Sequence, residues 1–325
     1  MSKRFYTTFL IFPQHLYKTF RFKRNIKKKM VTKKSVLVLS FEDTKPIASK
    51  VSRKLKGKYE TVASEKFPDG EFNLSIKSNP KGKTVVIVSS MALNPNQDMI
   101  KTILLGGIAK DFGAKKVILV ATYFPYMRQD THFYNFDSFS SKYVTKLFLE
   151  FDKVITLDPH LHRIKNLKIL SDKLSHITVN KIVADYIKKK FKNNFTIVGP
   201  DGESSQWNEP VAKMLGKEVV VLKKQRFSSF KIKVHEEGIH KFEKHVILID
   251  DIISTGRTLS GALALARKQG ARKLYCIGIH GLLVGNAVEL ITKHAKLITT
   301  NTIPTKFSKI DVSPAIVEEL KRVLK

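Results

Sequence analysis

The sequence predicts an α/β protein of two tandem halves, each a mainly parallel sheet flanked by helices. Short apolar runs alternate with helical patterns from Val36 onward, as strands joined by crossover helices do. The runs are continuously apolar, which is how strands covered on both faces read. Both halves end a strand in acid, at Asp158 and at Asp250-Asp251, a weak sign of an internal duplication. With 325 residues, 42% of them hydrophobic and 27% charged, the chain has the size and composition of a globular protein with room for two cores.

In the first half the expected strands are VLVLS (36–40), TVVIVSS (84–90), KVILVATYF (116–124) and KVITLD (153–158). Apolar residues take up helical spacing at Lys45–Lys54, Gln97–Phe112 and Ser141–Phe151. The second half repeats the scheme with strands TIVGPD (196–201), EVVVL (218–222), HVILIDD (245–251), LYCIGIHG (near 275–282) and LITTNTI (297–303). Its helices are expected at Val179–Phe191, Ser204–Leu215, Thr258–Gln269, Ala287–Thr292 and Pro314–Leu324. The expected organisation is a basic, disordered N-terminal extension over 1–34, one domain over 35–175 and a second over 176–325.

The extension holds eleven Lys or Arg and no acid, the first carboxylate being Glu42. Three origins compete: a transit-like presequence, an arm for nucleic acid or membrane, and a stretch upstream of a true start at Met30. MVTKKSVLVLS reads as an ordinary N-terminus running into a first strand, which favours the last. Across the chain 59 Lys and Arg face 28 Asp and Glu, a formal charge of +31. The basic residues are spread and mostly Lys. They fit a solvated surface and multiply phosphorylated substrates better than a patch that reads nucleic acid. The single cysteine, Cys276, excludes an internal disulfide framework and suits a reducing compartment, the cytoplasm. No apolar run is long enough for a membrane-spanning helix.

The chemistry concentrates in KHVILIDDIISTGRTLSGALALA, Lys244 to Ala266. A buried strand ends in Asp250-Asp251, a short loop of Ser254, Thr255, Gly256, Arg257 and Thr258 follows, and helical spacing resumes. Ligands of open α/β sheets bind at the carboxyl ends of strands, and a helix N-terminus is a ready anion site. Carboxylates would repel a bare phosphate, so the ligand offers hydroxyls as well as a phosphate. A sugar phosphate fits.

Other strand ends carry weaker signals. FPDGEFN, Phe67 to Asn73, is a Pro-Asp-Gly turn with Phe67 and Glu71 on either side, and reversal of the chain can be its whole purpose. In TYFPYMRQD, Arg128, Gln129 and Asp130 could clamp a nucleotide or form an internal Arg–Asp pair. LDPHLHR sets Asp158, His160 and His162 at spacings that a metal could use, although lone histidines are more often structural. GPDGESSQW places Asp201 at a strand terminus before serines that open a helix, with Trp207 expected in the core. Lys223-Lys224-Gln225-Arg226 is either a solvated Lys run or the positive charge that phosphoryl transfer needs.

The Lys244–Ala266 string resembles the phosphoribosyl diphosphate (PRPP) binding motif of the phosphoribosyltransferase superfamily. Taken in order with FPDGE, Arg128-Gln129-Asp130, Asp158 to His160, Lys224 to Arg226, His280-Gly281 and Asn301 to Pro304, it resembles the ribose-phosphate diphosphokinase (PRPP synthetase) family over about residues 36–325. The resemblance implies two tandem phosphoribosyltransferase-like domains and transfer of the β,γ-diphosphate of ATP to the 1-hydroxyl of ribose 5-phosphate, with Mg²⁺. It implies that Arg128 and Gln129 contact ATP and that Phe67, Asp69 and Glu71 reach the adenine of a neighbouring subunit in a homo-oligomer. His160 and Asp201 would hold Mg²⁺-ATP, and Lys224 and Arg226 would stabilise the transferring diphosphate. Asp250, Asp251, Ser254, Thr255, Gly256, Arg257 and Thr258 would bind ribose 5-phosphate.

The chain also departs from the family pattern. THFYNFDSF follows Arg-Gln-Asp where many members are Arg/Lys-rich, so nothing supports a phosphate-sensing regulatory site there. Pro159 replaces a usual Leu, GESSQW replaces a Gly-rich continuation, and Ser254 stands for a frequent third Asp. Two rival readings stay open: a transferase that consumes PRPP, and a non-catalytic relative acting as a regulatory subunit or nucleic-acid binder.

Overall fold

The computed structural model describes residues 35–161, 163, 164, 166–200, 204–221, 224–228, 231–234 and 242–325. The extension over 1–34, Asp201 and His162 lie outside the described residues. The first half runs β1 (Val36–Ser40), α1 (Lys45–Leu55), β2 (Lys58–Thr61), β3 (Ala63–Lys66), β4 (Phe72–Ser75), β5 (Thr84–Ser90), α2 (Pro95–Asp111), β6 (Lys116–Tyr123), α3 (Ser140–Lys146), β7 (Lys153–Leu157), β8 (Leu174–Ile177) and α4 (Asn180–Phe191). The second runs β9 (Phe195–Gly199), α5 (Ser205–Leu215), β10 (Val219–Val221), β11 (Lys224–Ser228), β12 (Lys231–Val234), β13 (His245–Ile253), α6 (Arg257–Lys268), β14 (Lys273–Gly281), α7 (Ala287–Thr292), β15 (Lys296–Thr300), β16 (Ser308–Ile310) and α8 (Ser313–Val323).

Two six-stranded sheets result, in the orders β2-β1-β5-β6-β7-β8 and β10-β9-β13-β14-β15-β16, and every pairing within them is parallel. The halves therefore share one topology. They also share an insertion, because the antiparallel hairpins β3–β4 and β11–β12 each follow the outermost strand of their sheet. Strand β8 crosses the expected division at residue 175, so the change of sheet comes after Ile177.

The central strands form where continuous apolar runs bury both faces: all five residues of β1 and all seven of β5 are buried. Each large aliphatic side chain so enclosed contributes about 1.5–3 kcal/mol. Helix α1 starts with Pro46 in its first turn and ends with Arg53 and Lys54, the arrangement that backbone geometry and the helix dipole favour. It turns Ile47, Ala48 and Val51 onto the sheet.

The closing helices are exchanged. Helix α4 follows the first sheet yet packs on α5 and β16, whereas α8 ends the second half and packs on α1 and β8. One hydrophobic core consequently runs through both halves, with Ile47, Val51, Val86 and Ile118 joined to Ile187, Ile249, Ile316 and Leu320. Within it β6 and β7 of the first sheet and β14 of the second meet at their carboxyl ends, where Thr122 donates to the Thr302 carbonyl at 2.7 Å.

Candidate active site

Strand β13 delivers the acid pair. Asp250 is half-buried and Asp251 buried, and the Asp251 backbone N–H bonds the Asp250 carboxylate at 3.1 Å. The chain then bends through Ser254 and Thr255 to Gly256, which has φ +71° and starts α6. A side chain at Gly256 would be strained, and its Cβ would lie 3.2 Å from the Ala287 carbonyl oxygen and the Ile291 side chain of α7. Backbone bonds from Leu283 to Ile253 (2.9 Å) and from Val284 to Ser254 (3.0 Å) brace the bend. The first turn of α6 and the acid pair thus line one cleft, with the hydroxyl-bearing residues Ser254, Thr255 and Thr258 beside them. This is a cradle for a phosphate that also carries alcohols.

The other wall comes from the first half and from the start of α5. A cleft of about 200 Å³ is lined by Arg128, His160, Ser204 and Trp207 together with Asp250 to Ile252 and Ser254 to Leu259. His160 Nδ1 donates to Asp251 Oδ2 at 2.5 Å, a bond between the loop after β7 and strand β13, 91 residues apart, that joins the carboxyl ends of the two sheets. The His160 ring stacks on Trp207, with centroids 5.9 Å apart and planes at 15°. Trp207 is buried as expected and in the same position forms a wall of the cleft.

Beside His160, Asp158 is buried at the end of β7, and burial raises its carboxyl to about 7 although the Val179 N–H donates to it at 2.7 Å. Asp130 is buried as well, and its carboxylate accepts from the backbone N–H of Arg163 at 2.6 Å and from Arg163 Nη1 at 3.0 Å. The Arg–Asp pair at this strand end therefore involves Arg163, whose guanidinium also lies 4.8 Å from the Phe133 ring centre. Arg128 makes no ion pair among the described residues and faces the cleft, while Gln129 accepts from Ser138 and Ser140.

The remaining expected residues stand apart. Phe67, Asp69 and Glu71 form the tip of the β3–β4 hairpin, where Phe67 N–H bonds the Glu71 carbonyl at 2.8 Å and Gly70 takes φ +102°. None of the three lines the cleft. Lys224 and Arg226 belong to β11 of the second hairpin. Among the described residues no group of three or more His, Cys, Asp or Glu is arranged to hold a metal ion.

Ser204, Trp207 and Leu259 line the cleft without having been singled out for it. The signal for the first two was present in GESSQW, since a serine and an aromatic three residues apart at a helix start share one face.

A parallel sheet in which a strand ends in an acid pair and leads through a short loop into a helix N-terminus is the arrangement of the phosphoribosyltransferase class. Residues 36–151 match the N-terminal domain of ribose phosphate pyrophosphokinase, and residues 166–315 match the phosphoribosyl transferase domain. The ribose-phosphate pyrophosphokinase of Pyrococcus furiosus is 32% identical over 269 residues, covering 82% of this chain and 95% of its own. That of Methanopyrus kandleri is 28% identical over 292 residues, covering 89% and 99%. The crystal structure of phosphoribosylpyrophosphate synthetase from Mycobacterium smegmatis has the same fold, with TM-score 0.77 at 23% identity over 90% of this chain and 99% of that one. The chain belongs to the ribose-phosphate pyrophosphokinase family and is an enzyme of that kind.

Proposed function

We propose that the cleft transfers the β,γ-diphosphate of ATP to the 1-hydroxyl of ribose 5-phosphate, giving PRPP and AMP. The reading rests above all on one observation: Arg128 and His160 from the first half line the same cleft as Asp250, Asp251 and Ser254 to Thr258 from the second. A transferase that only consumes PRPP needs the second set alone.

Ribose 5-phosphate is held by its hydroxyls at Asp250 and Asp251 and by its phosphate at Ser254, Thr255, Gly256, Arg257 and Thr258. Its 1-hydroxyl oxygen then attacks the β-phosphorus in line, and AMP leaves with the bridging oxygen. Fixing both substrates removes most of the entropy of approach before the bond changes begin. Arg128 and Gln129 bind ATP. Lys224 and Arg226, on their hairpin, stabilise the charge that spreads over the transferring oxygens.

The donor chemistry suits Mg²⁺. This ion keeps several waters and takes one or two carboxylates plus substrate phosphates, so it needs no cage of protein ligands. His160 and Asp201 would hold it with ATP, near the carboxylates of Asp250 and Asp251. When bound it neutralises phosphate charge. Phe67, Asp69 and Glu71 reach the adenine bound by a neighbouring subunit of a homo-oligomer, which accounts for a hairpin tip that serves no site of its own chain. The enzyme works in the cytoplasm, where its substrates are made.

Incubation of the protein with Mg²⁺, ATP and ribose 5-phosphate is expected to yield AMP and PRPP together. ADP in place of AMP would mean simple phosphoryl transfer, and no product would mean a non-catalytic relative. Lys224→Ala and Arg226→Ala are each expected to lower kcat by about 100- to 1000-fold, with the dissociation constant for ribose 5-phosphate unchanged.

A further inference from the structure

His280, at the carboxyl end of β14, is buried and takes no part in the cleft lining. Its Nε2 faces two carbonyl oxygens, those of Leu157 and Asp158, each at 3.1 Å. Both are acceptors, so Nε2 carries the proton. Nδ1 lies 2.9 Å from the Thr302 hydroxyl. The Thr302 hydroxyl also lies 2.8 Å from the Ile279 carbonyl, but Thr300 Oγ1 donates to that same carbonyl at 2.6 Å, so the single Thr302 proton can be given to Nδ1. The ring is thereby satisfied as the neutral tautomer, and Tyr123 packs edge-on against it with centroids 5.1 Å apart.

What the ring holds is the bend after β7. Asp158 takes φ +34°, a left-handed conformation that a residue with a side chain keeps only under external constraint. Its carboxylate is tied to the Val179 N–H and its carbonyl to His280. Two residues on, His160 reaches Asp251. On the neighbouring strand His280 stands in register with Ile252, next to Asp251. The imidazole therefore bonds the backbone that leads to His160, and the strand that carries it pairs with the strand that carries Asp251. His280 and His160 also line one small void of about 10 Å³, together with Tyr123, Arg128 and Ile252 among others.

We infer that His280 is a positioning residue: its neutral imidazole fixes the bend at Asp158 and so sets His160 against Asp251. This rests on the reading of the cleft proposed above. Of the two partners, His160 sits on the bend that the imidazole holds, whereas Asp251 is fixed within β13 and the loop after it is braced by the backbone of Leu283 and Val284, so losing the imidazole disturbs the donor side more than acceptor binding.

The test compares His280→Leu with His280→Gln in the full-length protein, Gln keeping an N–H donor near the place of Nε2. Expected for His280→Leu is a fall in kcat of about a hundredfold, the size of effect that a small misplacement of reacting groups produces. The dissociation constant for ribose 5-phosphate should stay within about threefold, and His280→Gln should recover most of kcat. A folded His280→Leu protein with kcat near that of wild type overturns the inference, as does a Gln variant that is folded and no better than Leu. If His280→Leu does not fold, Thr302→Val, which removes the donor to Nδ1, is expected to lower kcat by about tenfold, and unchanged kcat there refutes the assignment. A wild-type protein that makes no AMP and PRPP would instead overturn the proposed function itself.

Discussion

Asp130 pairs with Arg163, and Arg128 consequently keeps its charge for the cleft. Sequence alone had left two readings of Arg128-Gln129-Asp130 open, a nucleotide clamp and an internal ion pair. The ion pair forms, with a residue 33 positions away that no local pattern marks, and Arg128 lines the cleft. His280 was quoted only as part of a motif, and its role depends on carbonyls 122 and 123 residues distant. Burial lowers the His280 pKa below the ordinary histidine value, so the native state binds fewer protons than the unfolded chain as pH drops through about 6.5. Its contribution to stability is complete above that pH and is lost as the pH falls towards the native value. Urea unfolding between pH 7.5 and 5 is expected to show a loss of stability that is smaller in His280→Gln than in wild type. Equal slopes would mean that the imidazole takes up its proton without penalty.

Among the elements, those with continuous apolar runs were the legible ones. VLVLS and TVVIVSS became β1 and β5 with the expected bounds, and most helices shifted by only one or two residues at an end. The strands that sequence did not disclose are short, charged or at the edge: KYET, ASEK, FNLS, LSHI, KQRFS, KIKV and SKI. They form because a neighbouring strand supplies a pairing edge, which is a tertiary cause without a local signature. Ser141–Phe151 proved a shorter helix, Ser140–Lys146, followed by turns. Strand packing also yields a prediction at this scale. A Cβ at Gly278 in β14 would sit 2.5 Å from Ile253 Cδ1, and Ile253 immediately precedes the phosphate loop. Gly278→Ala is expected to cost about 1–3 kcal/mol by overpacking. It should also raise KM for ribose 5-phosphate more than KM for ATP, as steady-state kinetics and a melting curve would show.

At the scale of the molecule, two halves with one topology and matching hairpins bear out the weak sign of duplication in the paired acidic strand ends. The hairpins have diverged, one carrying Phe67, Asp69 and Glu71 at its tip and the other Lys224 and Arg226. The helix expected at Val179–Phe191 packs on the second half to which sequence assigned it, but sequence did not disclose that α8 packs back on the first half or that the halves share a core. Calorimetry is therefore expected to show one unfolding transition for residues 34–325. Ile316→Ala in α8, at a fully buried position, should lower it by about 2–5 kcal/mol without splitting it. Two separated transitions would mean that the halves unfold independently.

The exchange of α4 and α8 bears on how the chain is made. A domain emerging from the ribosome ordinarily folds once its own residues are out. Here the first sheet is complete at Ile177, but the helix that packs on α1 and β8 is not finished until Val323. Through nearly half of its synthesis the nascent protein lacks the helix that covers α1 and β8, which makes the last helix the step that completes the packing of the first half.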